Sequence, residues 1–439
     1  MGTILFFVAL IFEIAFTVYC FVTKQNHQKF RNWARIAAFI TFVILVFSSV
    51  IVWSLRWVLL AALLFILAGS GTIALIRNKK GKHGYKTSRI VVKAVIMTLL
   101  LILALVPALV FPQHKLPKVT GQYGIETATY TYIDQNRIEE FADNGKKRSV
   151  NVQFWYPDHA DGTYPLLVFS HGASGIKTSN SSTFRELASH GYVVCSIDHP
   201  YHSFYTVSDD GSFTLMNAEY TEEVENVNKD GIYTIEQVNE LIQKWMKLRT
   251  DDMNFVMDTI IGKSQNDKAP VYQHINKDKI GVFGHSMGGA ASVWIGGERK
   301  DVNAVVNIDA PFFSEIVYNS ESGDFEASGK PYMTPILNLY SDDVWNQLGR
   351  NSIYAANYAA DKNFKEAHTV HFQGAKHLSL TDLTLFSPLL ANMLQGGKAT
   401  IDPYYCIEKE NELILAFFDY TLKGIGRFTS EEAYGPNPS

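Results

Sequence analysis

The segment Gly284–Gly288 reads Gly-His-Ser-Met-Gly, with Gly289 behind it; it follows the apolar run Lys279–Phe283 and opens the small-residue stretch Ala290–Ile295. A serine two residues from glycine on either side, at a strand-to-helix turn, suits a nucleophilic hydroxyl. So sharp a turn presses the neighbours against adjacent backbone, where a Cβ would clash, and leaves Ser286 projecting alone into a cleft. Such a spacing arises by chance about 0.1–0.2 times in a chain this long, so its accompanying groups decide its meaning.

Those groups follow the order that acyl transfer requires. Upstream, Pro165–Ser170 reads as a buried strand that runs into His171-Gly172-Ala173-Ser174, where a glycine lets backbone N–H groups turn toward a ligand. The amides of Ala173 and Met287 are the expected donors to charge developing on a carbonyl oxygen, and His171 is expected to shape the loop. Downstream, the apolar strand Ala304–Ile308 delivers Asp309 at its C-terminal end, where ligand-facing residues of open α/β sheets collect. Asp342 and Asp343, behind the strand-like Thr334–Tyr340, compete for the acid's role, and spacing alone leaves the two sites open. Among three clustered histidines, His368 and His371 fall within a last strand, whereas His377 follows Gly374 on a loop. A base that must reach a serine from another segment belongs on the loop, which selects His377.

The segments Phe169–Gly172, Leu187–Tyr192 leading to Asp198-His199, Gly284–Gly289, Ile308–Ala310, and His377 with Asp382 five residues on, together resemble the platelet-activating-factor acetylhydrolase (plasma, isoform II) group of α/β-hydrolases. The likeness runs from about residue 120 to 425. It implies a triad acid just after the strand that follows the nucleophile helix, and so favours Asp309 over Asp342 and Asp343. It also implies short or oxidised acyl esters of lipids as substrates. The first 118 residues and the stretch 201–235 depart from the family pattern.

Strand-like runs recur at 127–133, 149–156, 166–170, 192–197, 280–283, 304–308, 336–340 and 369–372. After the first pair, helical patterns separate them at 183–189, 235–261, 290–295, 344–359 and 411–422. This alternation predicts an α/β fold, a mostly parallel eight-stranded sheet with helices on both faces. The acidic and aromatic stretch 201–235 is read as a cap insertion, and 319–330 as a surface loop.

Ahead of that domain, apolar stretches at about 3–22, 34–53, 57–76 and 90–111 each approach the ~20 residues a helix needs to cross a bilayer. The division predicted is a four-span domain over 1–118 and a hydrolase domain over 119–439. Lys24, Lys29, Arg31 and Arg35 fill the first connection, Arg77, Lys79, Lys80, Lys82, Lys86, Arg89 and Lys93 the third, and Arg56 alone the second. By the positive-inside rule the first and third connections face the cytoplasm, so the hydrolase domain is expected outside the cell. The first 118 residues hold 14 Lys and Arg against Glu13 alone, which leaves 25 of the 39 basic and 42 of the 43 acidic residues for the remainder. An acidic domain disfavours nucleic acid as a partner. Glu13, in mid-span, is expected as a protonated carboxyl bonded to a neighbouring helix through Ser48 or Ser49.

No H-E-x-x-H segment accompanies Asp198, His199 and His202, so no metal site is expected, and no phosphate loop or dinucleotide fingerprint implies a cofactor. Cys195 and Cys406 could pair outside the cell, although a buried free thiol is the commoner state in such a strand. The sequence thus points to a membrane-integral serine hydrolase acting on a small-molecule or lipid ester, of undetermined oligomeric state. Its rivals are a general carboxylesterase or peptidase with the same three residues, and a non-catalytic receptor that uses the fold for binding.

Overall fold

The computed structural model describes residues 2–77, 85–142, 144–159, 161–227, 229 and 231–436. The chain forms two compact units, residues 1–115 with 386–390, and residues 116–385 with 391–439.

In the first unit, α1 (Gly2–Thr23), α2 (Gln28–Phe47), α3 (Val58–Ile76) and α4 (Thr87–Val110) are long and apolar enough to cross a membrane. Phe6, Phe42, Leu60, Leu64 and Leu101 pack inward, while Ile4, Phe7, Ile11, Leu99 and Leu103 remain exposed. Helices that are apolar all round suit hydrocarbon surroundings. The second span begins at residue 28 rather than 34, so Arg31 and Arg35 are helical instead of lying in a loop. This brings Arg31 Nη2 to 2.7 Å from Glu13 Oε2 and Arg35 Nη2 to 3.3 Å from Oε1. Glu13 is therefore ion-paired, contrary to the expected bond to Ser48 or Ser49; the Ser48 hydroxyl bonds the Leu45 carbonyl of its own helix. Lys79, Lys80 and Lys82 lie outside the described residues. Because Glu13→Gln strips two guanidinium groups of their carboxylate, we expect it to destabilise this unit by about 3–5 kcal/mol. Membrane-fraction immunoblots of the full chain should show reduced abundance, and a wild-type level would contradict the pairing.

The second unit is built on β1 (Ile125–Ile138), β2 (Lys147–Pro157), β3 (Tyr164–Ser170), β4 (Val193–Asp198), a hairpin of β5 (Tyr205–Val207) and β6 (Phe213–Leu215), β7 (Ile275–His285), β8 (Val302–Ile308), a hairpin of β9 (Ile316–Asn319) and β10 (Asp324–Ala327), β11 (Ile336–Ser341), β12 (Ala367–Phe372) and β13 (Ala433–Tyr434). The main sheet has the order β1-β2-β4-β3-β7-β8-β11-β12-β13. It is antiparallel at β1/β2 and β2/β4 and parallel from β4 to β13. Among the described residues it has nine strands rather than eight, because the two residues of β13 add an edge beside His371 and Phe372. A strand that short carries no alternating pattern.

Both faces of the sheet are covered, which accounts for strands such as β4 that are buried at every position. On one face lie α7 (Ile235–Asn266) and α8 (Met287–Glu298), and on the other α5 (Ser181–Ser189) and α9 (Pro403–Phe418). Cys195 belongs to the first of these cores and Cys406 to the second, so the sheet separates them; both are free and buried. The expected helix over 344–359 is instead three short pieces, Asp342–Trp345, Ser352–Tyr354 and Ala355–Tyr358. Gly349 at φ 71° and the Asn351 cap on Ile353 N break it. The helix expected from 411 begins at 403, where the Asp402 side chain caps Tyr405 N. The stretch 201–235 holds the β5/β6 hairpin and α6 (Ala218–Val227), and the expected surface loop at 319–330 is largely the β9/β10 hairpin.

Candidate active site

The end of β7 and the start of α8 bracket Ser286, whose backbone sits at φ 54°, ψ −127°, with its N–H bonded to Ile308 O at 2.8 Å. A non-glycine residue held there costs about 1–3 kcal/mol, which the surrounding packing must offset. The flanking glycines are required by contact: a Cβ at Gly284 would lie 2.3 Å from the Gly288 carbonyl, and one at Gly288 would lie 1.9 Å from Ser170 O. The serine is half-buried in an otherwise buried turn.

At the end of neighbouring β8, Asp309 turns at φ 56° and bonds its N–H to Leu339 O. The residue is 1% exposed, with Oδ1 accepting from Ser341 N at 2.6 Å and Oδ2 from the Ser341 hydroxyl at 2.7 Å. Oδ2 also lies 2.7 Å from His377 Nδ1. The carboxylate is thereby fixed on both oxygens before it meets the imidazole.

Asp342 and Asp343 do not meet that ring. Asp342 takes His371 Nε2 at 2.7 Å and Gly374 N at 2.9 Å, while Asp343 accepts the backbone N–H of His377 at 2.8 Å and faces Lys376 Nζ at 3.4 Å. His285, adjacent to Ser286, donates Nε2–H to the carbonyl of His377 at 2.9 Å, and the two rings lie 4.5 Å apart. Asp343 and His285 thus hold the two ends of the backbone that carries His377. Burial draws the His377 pKa down, but the Asp309 hydrogen bond and charge, with Asp343 behind them, outweigh it and hold the pKa above 6.5. Burial keeps His285 neutral, well below that value. His368 faces Glu366, and His371 stacks on Trp345.

On the other side of Ser286, a Cβ at Gly172 would approach Ser286 Cβ to 3.1 Å, so the loop after β3 abuts the serine. Ala173 follows on this loop, and Met287 is the first residue of α8. Within the loop, His171 Nδ1 lies 2.6 Å from Gly172 O and Nε2 lies 2.7 Å from the Ser203 hydroxyl, so both its nitrogens serve the loop. His199 is taken up by Asp252 and Ser170, His202 stacks on Tyr220 at 3.7 Å, and Asp198 pairs with Lys177. From α6, the Tyr220 hydroxyl reaches Met287 Sδ at 3.1 Å. Asp382 lies apart from His377; Ser182 holds it, and burial pushes its pKa up to about 6.

Sequence reasoning missed Ser341, Asp343 as a backbone anchor, and Arg249. Only Arg249 left a signal: it is a charged residue in the apolar stripe Ile242, Met246, Met253, Val256, Ile260 of α7.

The family model for platelet-activating factor acetylhydrolase, isoform II, matches residues 140–428. The chain is 27% identical over 283 residues to the platelet-activating factor acetylhydrolase of Canis lupus familiaris, covering 59% of this chain and 57% of that one. It is 25% identical over 187 residues to a probable 1-alkyl-2-acetylglycerophosphocholine esterase of Arthroderma benhamiae, covering 42% and 41% of the two chains. The match therefore spans little more than half the length of the dog relative. A ferulic acid esterase from Streptomyces cinnamoneus shares the fold, with a TM-score of 0.55 and 18% identity over 71% of this chain and 94% of that one. With its sheet order, its strained Ser286 turn and a family match over more than half its length, the chain belongs to the platelet-activating factor acetylhydrolase, isoform II, family.

Proposed function

We propose that the chain is a serine hydrolase of carboxylic esters, in which Ser286 attacks the ester carbonyl, His377 takes its proton, and Asp309 holds the imidazole tautomer with hydrogen on Nδ1. The amides of Ala173 and Met287 receive the charge that develops on the carbonyl oxygen. His377 then protonates the leaving alcohol, and water, activated by the same histidine, releases the acid from the acyl-enzyme. The observation that carries this reading is the 2.7 Å contact from His377 Nδ1 to an Asp309 already fixed by Ser341.

The substrate class is short-acyl or oxidised lipid esters. The names of the dog and Arthroderma relatives support it, as do four helices that would keep the enzyme beside lipid. The basic residues in the first and third connections and at the helix ends beside them support a catalytic unit on the outer side of the membrane. A fluorophosphonate probe applied to intact cells should label Ser286. Labelling only after permeabilisation would reverse the sidedness, and none at all would favour a non-catalytic binding role. Hydrolysis of short-chain p-nitrophenyl esters without hydrolysis of short-acyl phospholipids would reduce the reading to a general carboxylesterase.

The raised pKa of His377 sets a pH dependence. A general base works in its neutral form, so activity is present above the folded-state pKa and lost as pH falls through it. The acid limb of kcat/KM should therefore bend above pH 6.5, with unit slope below the bend. Asp343→Asn removes a charge that raises this pKa and should move the bend downward. An inflection at or below the ordinary histidine value in the wild type would count against His377 as base.

A further inference from the structure

Arg249 lies midway along α7, in the stripe that packs on the sheet, and is fully buried. A guanidinium so placed ordinarily faces a carboxylate. Arg249 has none within ion-pair distance among the described residues; besides a hydrogen bond with Tyr220 of α6, it spends its donors on the end of β3 and the loop beside Ser286. Its Nη1 donates to His171 O and, at 3.4 Å, to the Ser170 hydroxyl; Nη2 donates to Gly172 O at 3.2 Å.

The Gly172 carbonyl is the other end of the peptide unit that carries the Ala173 N–H. It is also held by His171 Nδ1 at 2.6 Å and Gly175 N at 3.1 Å. No peptide bond among the described residues is cis, and in a planar trans unit C=O and N–H point in opposite directions. Donors that fix this carbonyl therefore aim the amide away from them. The Ala173 N–H has no acceptor among the described residues. A cation on the carbonyl side also polarises the unit and strengthens the N–H as a donor.

We propose that Arg249 is a positioning residue for ester hydrolysis, holding and polarising the Gly172–Ala173 peptide so that its N–H receives the oxyanion formed by Ser286 attack. This rests on the assignment of Ser286, His377 and Asp309 given above. Arg249 touches no reacting atom; it acts through one peptide bond.

The test uses the full chain in detergent, with Arg249→Gln and Arg249→Lys. Deleting an oxyanion donor outright costs about 10²–10³ in kcat, and misaiming one should cost about 10–100-fold in Arg249→Gln, with KM for a p-nitrophenyl ester nearly unchanged. Arg249→Lys keeps the charge but reaches one carbonyl, and should fall between the glutamine variant and wild type. A trifluoromethyl ketone, which forms a hemiketal oxyanion on Ser286, should lose affinity by the same factor as kcat/KM. A purely structural role would lower the melting temperature without that parallel. Should neither variant fold, His171→Phe removes another donor from the same carbonyl and should show the same kcat loss and inhibitor weakening. Full kcat in a folded variant, or lost kcat with unaltered ketone affinity, overturns the inference while wild-type ester hydrolysis leaves the parent reading intact. A wild type that neither hydrolyses esters nor takes the phosphonate overturns both.

Discussion

Ser286→Ala should lower ester turnover by about 10⁵–10⁶-fold and abolish fluorophosphonate labelling while leaving the unfolding free energy within about 1 kcal/mol of wild type. The asymmetry follows from the local backbone. At φ 54° alanine is strained just as serine is, and the backbone bond to Ile308 O survives the substitution. The only loss is a half-buried hydroxyl. Ser286→Gly should be as inactive yet more stable than the alanine variant by about 1 kcal/mol, because glycine adopts a positive φ without steric cost. Turnover of p-nitrophenyl acetate and calorimetry on the three proteins would show both effects. Retention of more than about one hundredth of wild-type activity in a folded alanine variant would remove Ser286 from the chemistry.

The second large effect is expected for Asp309→Asn. Its carboxylate accepts from Ser341 N on one oxygen and from both the Ser341 hydroxyl and His377 on the other. An amide cannot replace it: its NH₂ faces donors in either orientation, and if turned to His377 it selects the tautomer that leaves Nε2 unable to take a proton. A fall of about 10⁴-fold in kcat near neutral pH is the outcome for a wrong tautomer. Losing the Asp309 charge should also move the acid limb of the pH profile down, since that charge and hydrogen bond raise the His377 pKa. Asp342→Asn and Asp343→Asn serve as comparisons. The first touches His371 and a loop amide, the second the backbone N–H of His377, and each should cost no more than about tenfold. An Asp343→Asn loss as deep as that of Asp309→Asn would transfer the acid's role.

Much of the second unit was legible because its determinants are local. The strands around residues 166–170, 193–198, 280–283, 304–308 and 336–341 are apolar runs bounded by turn residues, and a sheet covered on both faces requires such runs. The glycines at 284 and 288 have a steric reason that depends only on the turn they flank. Helix boundaries were less legible. The start of α9 hinges on one cap at Asp402, and α2 runs back through Arg31 and Arg35 because Glu13 on another helix can neutralise them. A hydropathy window weighs those arginines as interruptions, whereas the folded unit holds them as partners.

What the amino-acid order alone determined is the set of chemically competent groups and their succession: Ser286 between glycines, acids at strand ends, and a histidine on a late loop. That follows from short-range sterics and periodicity, which act within a few residues. Which acid meets His377, what anchors that histidine at Asp343 and His285, and which side chain steadies the Gly172 carbonyl were decided by the tertiary structure. Those contacts join residues 68, 34, 92 and 77 positions apart. Only the order of strands in the sheet and the packing of α7 against it bring them within hydrogen-bond reach.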